Sequence, residues 1–237
     1  MPRILTDRDV KEGFWHHRPE EGFPPKSIRD PEEYDGLPML NVVCTQTNLP
    51  PREQAKLVRR WCDFLPTISA LEFLWFHSKV SQELFDAACS VPHLKGLWIK
   101  WSSIKSIGSM VNCTNLTFLH LGSSPQLTSI EHLSRLRNLI WLELENIKRV
   151  SDLTVIGELR QLQGLVIEGS MWTTQVVESL APLARLQGLR FLALPNLKAK
   201  DKTLSPLFSL SSLERFHAAQ WWNEEEVRRL RSANPKL

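Results

Sequence analysis

Six copies of Leu-x-x-Leu-x-(Leu/Ile/Phe) recur along this chain, beginning at Leu71, Leu94, Leu116, Leu139, Leu162 and Leu189 and spaced by 23, 22, 23, 23 and 27 residues. Each copy alternates apolar and variable letters, the pattern of a short half-buried strand. The residues that follow are apolar at every third position: Ile104, Ile107, Met110 and Cys113 in one unit, Leu127, Ile130, Leu133 and Leu136 in the next, then Val150, Leu153, Ile156 and Leu159. A spacing of three suits 3₁₀ or extended backbone, because an α-helical stripe alternates three and four. A unit of this size cannot bury its apolar letters alone, so the units must stack and share one core. A degraded copy at Leu213, Phe216 and Ala218 and an atypical one at Leu37, Leu40 and Val42 supply the end units that such a stack requires.

These letters resemble the leucine-rich repeat family in its short-repeat, internalin-like class, over roughly Leu37 to Leu237. The resemblance implies an α/β solenoid: a curved parallel β-sheet on the concave face, short 3₁₀ or α segments on the convex face, and helical caps. The ninth letter, asparagine in the family, is here Lys79, Ser102, Ser124, Ile147, Ser170 and Leu197. Two segments read as α-helix. Pro51 to Leu65 carries Leu57, Val58, Trp61, Cys62 and Leu65 on one face, and the longest unit gains about one turn, enough for a helix capped by Thr173 or Thr174 and carrying Val177, Leu180 and Leu183. Ser81 to Cys89 is a third case, and Asn223 is a suitable N-cap for a closing helix with glutamates first and arginines last.

The chain divides into an N-terminal arm, residues 1–36, and a repeat domain, residues 37–237, of seven to eight units. The arm holds Pro19, Pro24, Pro25 and Pro31 among charged residues and reads as irregular. Its aromatics, Phe14, Trp15, Phe23 and Tyr34, are of the kind that pins an arm onto a protein body. A free arm that docks a partner is the alternative.

Letters three, five and seven point away from the core, and each lies about 4.8 Å from the same letter in the next unit. Read across units they describe a surface. Phe73, Trp75, Trp98, Trp101, Phe118 and Trp141 form an aromatic zone, with Lys100 and His120 beside it, and Glu143, Glu145 and Glu168 form an acidic zone. A contiguous apolar patch rich in tryptophan is the signature of an interaction surface. Glu145 and Glu168 occupy the same letter in adjacent strands, where like charges repel. The expected partner is therefore a protein with a basic patch beside an apolar knob. The competing account is that the arm folds over the aromatics and that the carboxylates merely keep the sheet solvated.

Other functions find less support. The net charge of +3 gives no bulk electrostatic case for nucleic acid or an anionic membrane. Stacked tryptophans near Lys95, Lys100 and Lys105 are the best argument for single strands, but the central glutamates would repel phosphate. No run approaches the roughly 20 apolar residues of a membrane helix, and the charged N-terminal residues lack an apolar leader. Cys44, Cys62, Cys89 and Cys113 lack paired spacing and read as reduced core residues, which with the missing leader suggests a cytoplasmic protein. His16-His17 has no ligand partner at metal-binding spacing, so no metal or other cofactor is expected. His120 beside Glu143 could form an acid–base pair, yet no nucleophile accompanies it and an open sheet admits water, so catalysis is not expected. The resemblance implies a non-catalytic protein-binding module, either an inhibitor or immunity-type neutraliser of an enzyme or toxin, or an adaptor within a larger complex.

Overall fold

A computed structural model describes residues 5–13, 15–218 and 221–237; Phe14, one of the aromatics expected to pin the arm, lies outside them. In chain order the elements are α1 (Asp7–Glu12), β1 (Ser27–Ile28), β2 (Met39–Val42), α2 (Pro51–Phe64), β3 (Phe73–Phe76), α3 (Gln82–Ala88), β4 (Gly96–Trp101), β5 (Phe118–Ser123), β6 (Trp141–Glu145), β7 (Gly164–Glu168), β8 (Gln175–Val177), β9 (Phe191–Leu194), β10 (Leu197–Ala199), β11 (Arg215–Ala218) and α4 (Glu224–Ala233). Among the described residues, nine of the strands form one sheet in the order β1-β2-β3-β4-β5-β6-β7-β9-β11, every pair parallel.

The sheet register follows the sequence repeat letter for letter. Trp75 lies opposite Trp98, Trp98 opposite His120, His120 opposite Glu143, and Glu145 opposite Glu168. Letters one, four and six of every regular unit are buried in a single core that runs the length of the solenoid, together with the apolar residues at every third position. Those connecting segments are 3₁₀ turns as the spacing predicts, at Gly108–Asn112, Glu131–Arg135, Ile156–Glu158, Ala181–Arg185 and Ser205–Ser209. A three-residue period eclipses side chains at i and i+3, so one edge of each turn faces inward.

The helices α2, α3 and α4 stand where the apolar stripes placed them. The Ser81 hydroxyl accepts from the Leu84 amide to cap α3, and the Asn223 side chain accepts from the amides of Glu225 and Glu226 to cap α4. The helix expected after Thr173 and Thr174 does not form. Gln175–Val177 is instead β8, which pairs with β10 in a two-stranded parallel sheet; Leu183 belongs to the 3₁₀ segment after it and Leu180 is that segment's N-cap. Val177, Leu180 and Leu183 reach the core all the same, because an extended start followed by a 3₁₀ turn also turns every third residue inward.

Without the family's asparagine, the corners at the strand ends are closed by other groups. The Ser102 and Ser124 hydroxyls lie 2.9 Å apart, Ser124 donates to the Gly122 carbonyl, and Ser78 Oγ accepts from the amides of Cys44 and Thr45. Two asparagines serve the later units from letter eight rather than nine. Asn146 and Asn196 both adopt positive φ, and Asn196 donates to the carbonyls of Ser170 and Thr173. The four cysteines are free thiols; Cys44, Cys89 and Cys113 are buried and Cys62 is partly so. Among the described residues no helix is long and apolar enough to cross a membrane.

Candidate interaction site

The arm lies across the outward face of the sheet. It is organised by short elements: α1 with a Thr6–Asp9 capping box, 3₁₀ turns at Pro19–Glu21 and Pro31–Glu33, and β1, which extends the sheet beyond β2. Trp15 is fully buried, its ring 5.1 Å from that of Phe118 and 6.2 Å from that of Trp75, and Phe23 packs 5.1 Å from Phe73 and 5.0 Å from Trp75. Together with Val10, Trp141 and Phe191 these rings form a second apolar core, separate from that of the solenoid.

Polar groups fix the arm in place. Arg18 and Asp9, both buried, form an ion pair at 3.0 Å. Trp75 Nε1 donates to the His16 carbonyl, Asn41 to that of Pro25 and Trp61 to that of Arg29. Further along, Arg60 grips Asp30 through two hydrogen bonds of 2.6 and 2.7 Å.

The aromatic zone read from the sequence is consequently divided. Phe73, Trp75, Phe118 and Trp141 are buried beneath the arm, so in this state they are not a free surface, and the chain itself covers them. Twice along the sheet a large ring at letter three is followed by glycine, Phe73 by Gly96 and Trp141 by Gly164, and this makes the covering possible. A Cβ on Gly96 would lie 2.3 Å from the Phe73 ring, and one on Gly164 would lie 2.1 Å from Trp141. Each of these two rings lies over the glycine of the following strand. Trp98 is half-buried between His16, His77 and His120, with centroid separations of 5.4, 4.7 and 5.2 Å. Lys100 and Trp101 stay exposed, with the Lys100 ammonium 5.4 Å from the Trp101 ring.

The acidic zone divides too. Glu143 is buried rather than solvated: His120 Nδ1 lies 2.5 Å from Oε2, and Trp141 Nε1 donates to Oε1 at 2.6 Å. Burial alone would push its carboxyl up, but the neighbouring imidazoles of His16 and His120 and the hydrogen bonds from His120 and Trp141 outweigh this and hold it below the usual carboxylate range. Burial lowers the His16 pKa to about 4, more than the nearby Glu143 can offset, so near neutral pH its imidazole is uncharged. At that pH the bonds from His120 and Trp141 keep Glu143 ionised. No ligand partner stands near His16 in the sequence, but the fold brings His120 and Glu143 to it. His16, His120 and Glu143 offer ligand atoms all within 4.8 Å of one another, whereas His17 is exposed and takes no part.

Glu145 and Glu168 remain partly open. Burial raises both, and the charges of Glu145 and Glu143 lift Glu168 further, to about 7. They form the floor of an open depression of about 610 Å³ whose walls include Met171, Pro195, Asn196 and Trp221. Met171 and Trp172 are 86 % and 88 % exposed, at the tip of a loop that is rigidly built. Ser170 and Thr173 bond across its base, Asn196 donates to both of their carbonyls, and a Cβ on Gly169 would lie 2.0 Å from the Thr173 carbonyl oxygen, so only glycine fits there. Trp221 is 47 % exposed, held by donation to the Leu197 carbonyl and capped by the Lys198 ammonium at 4.9 Å. None of Met171, Trp172 and Trp221 was singled out from the sequence, because all three fall outside the strand letters. The extra length of the unit that begins at Leu162 was the available signal.

No protein-family model matches the chain. No curated protein shows significant similarity to it. Solved structures do resemble it in shape. An internalin C2 (inlC2) from Listeria monocytogenes superimposes with a TM-score of 0.56 at 24 % identity, covering 74 % of this chain and 71 % of the other. An internalin (inlF) from the same organism gives 0.55 at 18 % identity, covering 70 % of this chain and 47 % of the other, so the present chain spans about half the length of that protein. With the strand register and the 3₁₀ connections, these likenesses establish the fold as a leucine-rich-repeat solenoid of the internalin-like kind.

Proposed function

We propose that this chain is a non-catalytic protein-binding module whose contact surface is the depression walled by Met171 and Trp221 over Glu145 and Glu168, together with Trp172, exposed beside Met171 on the same loop. The observation that carries the reading is a pair of large apolar side chains held out into water by a loop with no slack. Exposed apolar surface of that kind is costly to keep unless something covers it, and tryptophan contributes most per residue at interfaces. The partner supplies an apolar side chain for the Met171–Trp221 wall and an arginine or lysine for the carboxylates. Inhibition or neutralisation of an enzyme or toxin is the role favoured for a module of this size, with an adaptor role as the alternative. Phosphate is disfavoured at the same place, because Glu145 and Glu168 would repel it.

Affinity capture with the full chain tests this. Wild type retains a discrete partner that the double substitution Trp172→Ala/Trp221→Ala and the charge reversal Glu168→Lys each release. Equal retention by all three proteins sinks the proposal.

The pH dependence has a definite sign. The folded-state pKa of Glu168 is raised, so its ionisation opposes folding increasingly as pH rises from the unfolded carboxylate value toward 7. The groups that face it are Glu145, Glu143 and His120. Glu168→Gln should therefore stabilise the protein at pH 8, by roughly 1 kcal/mol once solvent screening is allowed for, and by less at pH 5. A cationic partner favours the ionised form, so its affinity should rise between pH 6 and pH 8 in wild type and lose that slope in Glu168→Gln. Thermal melts and binding isotherms at the two pH values measure both effects.

A further inference from the structure

We propose that His16, His120 and Glu143 form a site for a divalent transition-metal ion of the zinc class, which fastens the N-terminal arm to the sheet. The three side chains come from places far apart in the chain. His120 and Glu143 occupy the same outward letter of β5 and β6 and lie directly opposite each other in the ladder, while His16 descends on them from the arm. Both imidazole Nδ1 atoms converge on one oxygen, Glu143 Oε2, at 2.5 Å from His120 and 3.7 Å from His16.

Zinc holds nitrogen and carboxylate ligands at about 2.0–2.2 Å, which separates tetrahedral ligand atoms by roughly 3.3 Å. The His16 separation is already near that value, and the His120–Glu143 contact must open by less than about 1 Å, the change expected when a metal ion replaces a shared proton. Two imidazoles and one carboxylate select zinc-like ions over calcium or magnesium, which prefer oxygen donors alone.

Two features outside the ligand set agree with this assignment. Trp141 Nε1 donates to the second oxygen of Glu143 at 2.6 Å, the outer contact that orients a ligating carboxylate. Glu145 and Glu168, paired across β6 and β7 two letters beyond Glu143, place further carboxyls beside the site. Three protein ligands leave a fourth position. A cleft of about 360 Å³ lined by His16, His17, Pro24, Trp75, His77 and Trp98 adjoins the cluster and offers a route for the ion and room for water.

The test uses the full chain, freed of metal by dialysis against a chelator and titrated with ZnCl₂ and, separately, with CoCl₂. One equivalent of zinc should bind, cobalt should give a visible ligand-field spectrum, and metal should slow proteolytic cleavage of the arm at least tenfold. His16→Ala changes only the arm, leaves the solenoid folded by circular dichroism, and should weaken binding at least tenfold and abolish the protection. His120→Ala should do the same, and His93→Ala/His132→Ala should leave binding unchanged. Absence of stoichiometric binding by wild type overturns the site, as does binding that survives undiminished in His16→Ala. Should His120→Ala fail to fold, the His16→Ala result decides.

Discussion

Trp15→Ala should detach the arm while leaving the solenoid folded. Trp15 is fully buried, and its ring fills the space between Phe118, Trp75 and Gly96. Truncating a buried tryptophan to alanine costs about 3–5 kcal/mol, from lost apolar transfer and the cavity left behind. That loss falls on a cluster separate from the main core, so the arm bears it first. Residues of the arm should exchange their amide hydrogens rapidly, among them the Phe23 and Arg18 amides that now bond across their turn. The strand amides of β4 to β7 should stay protected. An apolar dye should bind the uncovered face made of Phe73, Trp75, Phe118 and Trp141. Were the whole protein to unfold in one transition with no dye-binding state, the arm would be an inseparable part of the body and not a cover on it.

The second large effect concerns Trp141. It is buried, packs 5.1 Å from Phe191, lies over Gly164 and donates to Glu143. Trp141→Ala removes all of this and should lower unfolding stability by about 3–5 kcal/mol. Trp141→Phe keeps most of the ring but takes away the N–H, leaving a buried carboxylate oxygen without its donor, which costs about 1–3 kcal/mol. Denaturant melts of the two variants separate the contributions. A Trp141→Phe protein as stable as wild type would show that water or another donor satisfies Glu143, and that the tryptophan acts by packing alone. Because Trp141 belongs to the sheet and Trp15 to the arm, Trp141→Ala should shift the global transition and Trp15→Ala only the local one.

Much of this architecture was legible in the residues. The inward letters, the 3₁₀ connections and the helices α2, α3 and α4 follow from apolar spacing and capping, which are local properties. The helix expected after Thr173 failed for a specific reason. A stripe of Val177, Leu180 and Leu183 suits a helix and an extended 3₁₀ path almost equally, and pairing of β8 with β10, a partner some 20 residues away, decided the matter. The corners were illegible because serine and letter-eight asparagine close them through neighbours in adjacent units.

The functional surface divides along the same line. The sequence by itself determined which side chains leave the core, since a strand's period of two sends letters three, five and seven outward whatever surrounds them. It could not determine what lies above them, because that depends on where a 36-residue segment with no repeat of its own comes to rest. Tertiary structure alone decided that Trp15 and Phe23 cover the aromatic letters, that His16 meets His120 and Glu143, and that Met171 and Trp221 stand in water beside Glu145 and Glu168. The physical reason is range: periodicity reports the direction of a side chain from its own backbone, while burial is set by contacts whose partners lie anywhere in the chain.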